Sequence, residues 1–209
     1  MLVSTESQVL LHDVTWEEYE AILDQVEASG RHLFVTFDDG SLEVMVPGPD
    51  HETDSKSLDY LLVILAEELD VSLEPLGSTT FRRKGLAKGL EPDECYYTKN
   101  SAKIRGKSQL DLRRDPPPDL VVEVEITRRL LDRVSIYEAL GVPELWRYDG
   151  RKLRVFVLVK GKYRERDRSP TFPTLPLDQV GRWLNEKRSM DRIPWNRRVR
   201  AWVRKHLAK

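Results

Sequence analysis

The stretch PPPDLVVEVEIT, residues 116–127, decides how the chain is read, and the remaining segments take their places around it. As a strand, its side chains alternate between two faces. Leu120, Val122, Val124 and Ile126 share one face, all of it apolar; Asp119, Val121, Glu123, Glu125 and Thr127 share the other. Pro116, Pro117 and Pro118 stiffen the approach. Carboxylates two residues apart repel one another and are costly to desolvate unless a cation or hydrogen-bond donors neutralise them. The pattern leaves two readings open: an edge strand with a solvated acidic face, or a metal or catalytic site.

The 209 residues are enough for one sizeable domain with a core of its own. At 40% hydrophobic and 33% charged, they read as a soluble globular protein. The net charge of -1 hides an asymmetry, with acids concentrated in residues 50–74 and Lys and Arg in residues 182–209. Such a basic end suits an anionic partner or a solvated helix face. The single cysteine, Cys95, excludes an internal disulfide and a multi-cysteine zinc site. It fits a reducing cytoplasm. The N-terminal MLVSTESQVLLHD lacks the basic start and long apolar run of a signal peptide, and residues 61–66 are too few to span a membrane.

In chain order, Thr15 and Glu18 form a capping box for a helix that Gly30 ends. Strands at 32–37 and 41–46 flank the turn Asp39-Gly40. From about residue 50 a helix carries Leu58, Leu61, Leu62, Leu65 and Leu69 on one face. Residues 71–76 and 90–99 read as strands, and 101–114 as a polar, basic connection. After the opening stretch come a helix over 129–140, stopped by Gly141, and a meander at 144–148, 152–159 and from 163. Two helices, 177–187 and 194–206, close the chain. Trp183, Trp195 and Trp202 anchor them, while Arg197, Arg198, Arg200, Arg204 and Lys205 face outward. The organisation expected is a body at 1–168 with a helical extension at 169–209 packed on it.

Walker loops, GxGxxG, HExxH and GxSxG are absent, and histidines 12, 32, 51 and 206 lack metal-ligand spacing. What remains is acids on strands. Carboxylate oxygens are the ligands that Mg²⁺ takes, with waters and phosphate completing its shell. Asp93 on one strand and Glu123 on another can converge on one ion, and Arg133 on the following helix is placed to offset phosphate charge.

GSLEVMVPGPDHE (40–52), GSTTFRR (77–83), EPDECYY (91–97), PPPDLVVEVEIT and IYEALGVPELWRYDG (136–150) together carry a resemblance. The chain resembles the Uma2 family, also called DUF820, of the PD-(D/E)XK nuclease superfamily. The resemblance implies an α/β (α+β) fold, a restriction-endonuclease-like mixed sheet flanked by helices. It implies an acid dyad holding Mg²⁺ (or Mn²⁺). By position the helix acid maps onto Glu52, after His51, the metal-binding aspartate onto Asp93, and the second acid onto Glu123. Asp119 is a rival for the aspartate. On the strand of Glu123 it would lie about 13 Å away, too far to share an ion. Where the superfamily's ExK has lysine stands Glu125, a further candidate ligand, and the basic position on the helix is Arg133. The function implied is a Mg²⁺-dependent endonuclease, on DNA before RNA. The alternative is a nuclease-fold module that binds nucleic acid or protein without cutting. A homodimer through the meander's edge strands is a further expectation.

Overall fold

The computed structural model describes residues 6–107 and 110–207. The first five residues of the segment inspected for a signal peptide, and 108–109 within the expected connection, lie outside the described residues. The described elements run β1 (Ser7–Leu11), α1 (Trp16–Ser29), β2 (Phe34–Asp38), β3 (Ser41–Val46), α2 (Pro49–Leu69), β4 (Glu74–Pro75), β5 (Phe81–Arg83), β6 (Lys88–Leu90), β7 (Glu94–Tyr97) and α3 (Ser101–Ile104). They continue as β8 (Leu120–Val124), α4 (Arg133–Leu140), β9 (Glu144–Tyr148), β10 (Leu153–Val159), β11 (Lys162–Arg166), α5 (Leu177–Lys187) and α6 (Arg192–His206).

Local signals set several boundaries. The Thr15 side chain accepts from the Glu18 amide, and the Glu18 carboxylate accepts from the Thr15 amide, so α1 starts where its capping box stands. Gly30, at φ 63°, closes α1 in the left-handed region. Asp39 and Gly40 both have positive φ, 46° and 84°, the backbone of a primed turn matched to the twist of the β2–β3 hairpin.

The strands form two sheets. The five-stranded sheet has the order β1-β3-β2-β6-β5 and is antiparallel throughout. The six-stranded sheet has the order β11-β10-β9-β8-β7-β4. Its one parallel pair is β8–β9, joined by the crossover that carries α4. The result is a mixed α/β fold with helices on the faces of its sheets. On one face of the six-stranded sheet, Leu120, Val122 and Val124 pack with Leu58 and Leu61 of α2, Trp183 of α5 and Trp195 of α6. On the other, Val121, Cys95 and Leu145 pack with Ile136, Tyr137 and Leu140 of α4. A separate core lies between α1 and the five-stranded sheet, built on Tyr19, Val35, Phe37 and Leu42.

The two closing helices therefore share the main core. Trp183 and Trp195 are fully buried in it, and each such ring withdraws on the order of 200 Å² from water, worth about 5 kcal/mol before entropy. The outward basic face expected on α6 is largely spoken for. Arg200 and Arg204 grip Glu68 of α2, Arg200 also reaches Glu67, and Arg198 pairs with Glu186 of α5.

Other sequence expectations change with physical cause. The opening stretch is no solvated edge: β8 lies between β7 and β9 and all five of its residues are buried. The single strand expected over 90–99 is broken. Residues 88–90 belong to one sheet and 94–97 to the other, with Pro92, which has no N–H to give a ladder, at the crossing. The strand expected over 71–76 shrinks to Glu74–Pro75. The helix expected from 129 begins at Arg133, because the amides of Leu130 and Leu131 donate instead to the Glu43 carboxylate of β3 and Asp132 caps the Val134 amide.

Candidate active site

β8 exposes its odd-numbered side chains toward α4, so Glu123 points where Val121 points, into the side covered by Arg133 and Tyr137. Arg133 and Tyr137 are one helical turn apart, and both donate to Glu123 Oε1, Arg133 through Nη2 at 2.6 Å. Arg133 also donates through Nη1 to Thr36 Oγ1 of β2 at 2.7 Å and through Nη2 to the Glu91 carbonyl. Glu123 Oε2 accepts from none of the described residues.

Asp93 sits where the chain crosses from one sheet to the other, beside Glu94, which pairs with Val122 of β8. Its Oδ2 accepts from the Val124 amide at 2.6 Å and lies 3.2 Å from His51 Nε2, while Arg129 Nη2 approaches Oδ1 at 3.4 Å. Arg129 stands over the Phe34 ring and 3.9 Å from Glu43 Oε1. The cluster thus gathers Glu43, Asp93 and Glu123 against Arg129, Arg133 and the His51 ring, all six buried.

Protonation follows from this company. Burial pushes the Glu123 carboxyl up against the pull of Arg133. Burial would do the same to Asp93, but the His51 ring, with Arg129 behind it, holds it below the usual carboxylate range. His51 is raised in turn: burial opposes its charge, and the Asp93 carboxylate outweighs burial. Two guanidinium groups and the His51 ring thus face three carboxyl groups. The balance is imperfectly wired, because Glu43 Oε1, His51 Nδ1, Arg129 Nη1 and Arg133 Nε are buried without hydrogen-bond partners among the described residues.

Above Glu123 opens a cavity of about 300 Å³, lined by Glu125, Arg128, Arg129, Arg133 and Arg147 among others. Three of the five residues singled out from the sequence, Asp93, Glu123 and Arg133, are brought into the cluster. Glu125 stands at the cavity, ion-paired with Arg147. Glu52 does not join them. It is 40% exposed and lies 3.6 Å from His32 Nε2 and 3.9 Å from His51 Nδ1. Asp119 is a clamp for the neighbouring turn, accepting from the amides of Thr98 and Asn100 and from Asn100 Nδ2.

His51, Arg129, Tyr137 and Glu43 are cluster members that sequence reasoning passed over as site residues. His51 had one usable signal, a histidine beside an acid in the first turn of α2. Glu43 had another, a charge between Leu42 and Val44 in a hairpin strand that is apolar from Leu42 to Val46 but for it.

A family model described as "Putative restriction endonuclease", Uma2, matches residues 16–186. The chain belongs to the Uma2 family. A solved structure, titled a "putative nuclease belonging to DUF820" from Anabaena variabilis ATCC 29413, is similar at 11% identity and TM-score 0.48 over 72% of this chain and 90% of that one. A "Polyketide synthase 2" of Metarhizium acridum is 33% identical over 90 residues, 42% of this chain. The chain spans only 4% of that synthase. Among the described residues of this Uma2 chain, no helix is long and apolar enough to cross a membrane.

Restriction-endonuclease-like families generally use divalent metals. The donors here suit such an ion in kind, since Glu123 of β8 and Asp93, just before the neighbouring strand β7, offer hard carboxylate oxygens and one or two carboxylates suffice for Mg²⁺. They differ in readiness. Glu123 has an oxygen without a protein donor and lines the cavity, whereas Asp93 is sealed by Val124, His51 and Arg129. Among the described residues no three His, Cys, Asp or Glu side chains are grouped to ligate one ion.

Proposed function

We propose that the chain hydrolyses phosphodiester bonds of nucleic acid, DNA before RNA, with Mg²⁺ or Mn²⁺ at the Glu123 cavity. The observation that carries this reading is a buried acid, Glu123, under a cavity rimmed by arginines, with a second buried acid, Asp93, beside it. Glu123 and Asp93 would hold the ion, which would supply an activated water and offset charge on the phosphoryl oxygens. Glu125 would stand outside them as a further acid, exchangeable between Arg147 and the ion. Arg133 stays charged at any working pH, so its part is to bind a phosphoryl oxygen, not to carry a proton. Glu52, half-buried beside His32, is a carboxylate left to orient water.

Wild type should nick DNA with Mg²⁺ or Mn²⁺ and stop in EDTA, and Glu123→Ala should lose about 10²-fold or more, the scale of losing a transition-state electrostatic partner. Equal cleavage by the two proteins would remove this assignment. A second reading, a nuclease-fold module that binds without cutting, is favoured by one observation: both acids already have guanidinium partners. It predicts nucleic-acid binding that persists in EDTA with no cleavage under either metal.

A further inference from the structure

Two more depressions adjoin the Glu123 cavity. Glu125 and Arg128, which line that cavity, also line a second one with Asp149, Arg151 and Arg188. Arg151 in turn lines a third, about 830 Å³ in volume, between the β10–β11 hairpin and the start of α5. Their shared lining residues set the three side by side as one trough, running from the Glu123 cavity past the β9–β10 turn to α5.

Its charge differs in sign from that of the chain. Eleven Lys and Arg side chains line the trough against eight Asp and Glu, in a protein of net charge -1. Six of the eleven are engaged in ion pairs: Arg129, Arg133, Arg147, Arg154, Arg182 and Arg188. Arg128, Arg151, Lys152, Arg166 and Arg168 are exposed and form no ion pair with a described residue. By contrast, Arg198, Arg200 and Arg204 of the basic helix α6 are occupied by acids. The centre of the trough is also held in place. Gly181 of α5 lies so close to the Arg151 carbonyl that an added Cβ would stand 2.8 Å from its oxygen, so the turn bearing Arg151 is seated directly on the helix.

We infer that this trough is a nucleic-acid backbone track, in which Arg128, Arg151, Lys152, Arg166 and Arg168 contact successive phosphates of the strand whose scissile bond lies over Glu123. The inference rests on the hydrolytic reading for the position of that bond, but the binding it describes needs no cleavage. Unpaired, exposed guanidinium and ammonium groups bind phosphates by releasing condensed counterions, which makes binding steeply salt-dependent. Ion-paired arginines release less, because their charge is already offset.

The test is equilibrium binding of a ~20-base-pair DNA duplex, and of a single strand of the same length, in EDTA over a range of salt. Arg151→Glu/Arg166→Glu/Arg168→Glu should bind at least 10-fold more weakly than wild type. Its slope of log affinity against log salt should be shallower by about 2–3, at roughly 0.9 per duplex phosphate contact. The triple Gln variant should show the same direction with a smaller loss. Arg197→Glu/Lys205→Glu on α6 should bind like wild type, and thermal melts should match throughout. Binding by the trough variants within twofold of wild type and with the same slope would overturn the track. So would a loss confined to the α6 variant, or a wild type that binds neither probe. The two readings separate: binding that needs the trough without cleavage keeps the track and removes the hydrolysis, and cleavage with trough-independent binding does the reverse.

Discussion

Arg133 is the residue on which the cluster turns, because four groups from three elements and one crossing segment take its protons or its company: Glu123, Thr36, the Glu91 carbonyl and Tyr137. It is 5% exposed, and burial lowers its hold on the proton less than Glu123 and Tyr137 raise it. Removing one partner of a buried ion pair strands the other, at a cost of roughly 3–5 kcal/mol. Arg133→Met should therefore lose about that much unfolding free energy in urea. The double change Glu123→Gln/Arg133→Met should recover much of it, a coupling that two independent sites would not show. Asp93, Glu123 and Arg133 are legible in the sequence because acids in strand-like stretches, a basic residue on the helix that follows, and the motif resemblance all mark positions along the line of the chain. Arg129 and Glu43 are not, since Glu43 meets the loop at Leu130 and Leu131 across 87 and 88 residues, and no local pattern registers such a contact.

Elements show the same division between local and distant causes. α1 and the β2–β3 hairpin were legible because a capping box, a left-handed glycine and two positive-φ turn residues act within a few positions. The break between β6 and β7 was not, because alternation continues through Glu91, Asp93 and Cys95 while the chain changes sheets. α6 owes its place to a stripe of Trp195, Val199 and Val203, spaced four apart and buried, and to Glu68 beneath it. Hydrogen bonds from Arg204 and Arg200 hold the Glu68 carboxyl down to about 2, against an ordinary 4.5. A depressed carboxyl stabilises the fold above its unfolded value and loses that contribution as pH falls through the folded value. Glu68→Gln should thus be less stable than wild type by an amount that is flat above about pH 5, shrinks between about 4.5 and 2, and is gone below. Denaturant titrations at stepped pH will measure it, and a difference that persists at the lowest pH would refute the ion-pair account.

At the scale of the molecule, one core joins α2, α5, α6 and the six-stranded sheet, so the closing helices are structural members of the body. In a Trp16→Phe variant, tryptophan fluorescence, reporting Trp146, Trp183, Trp195 and the partly buried Trp202 in that core, and far-UV circular dichroism should then unfold at the same denaturant midpoint. An earlier fluorescence transition would mean that the C-terminal helices detach as a separate unit. The mixed α/β class was readable from the order of elements. The division into two sheets was not, because it is decided by which strands find each other across long separations.

One feature of the fold ties the chemistry to its mechanics. The polar cluster is the seam between the sheets: Thr36 and Glu43 come from the five-stranded one, Glu123 from the six-stranded one, and Arg129 and Arg133 from the crossover between β8 and β9. A phosphate that drew either guanidinium toward itself would loosen the fastening between two layers as it freed a carboxylate. Occupancy and compliance are in that sense one variable: the same arginines that would grip a substrate are the stitches that keep the molecule shut without it.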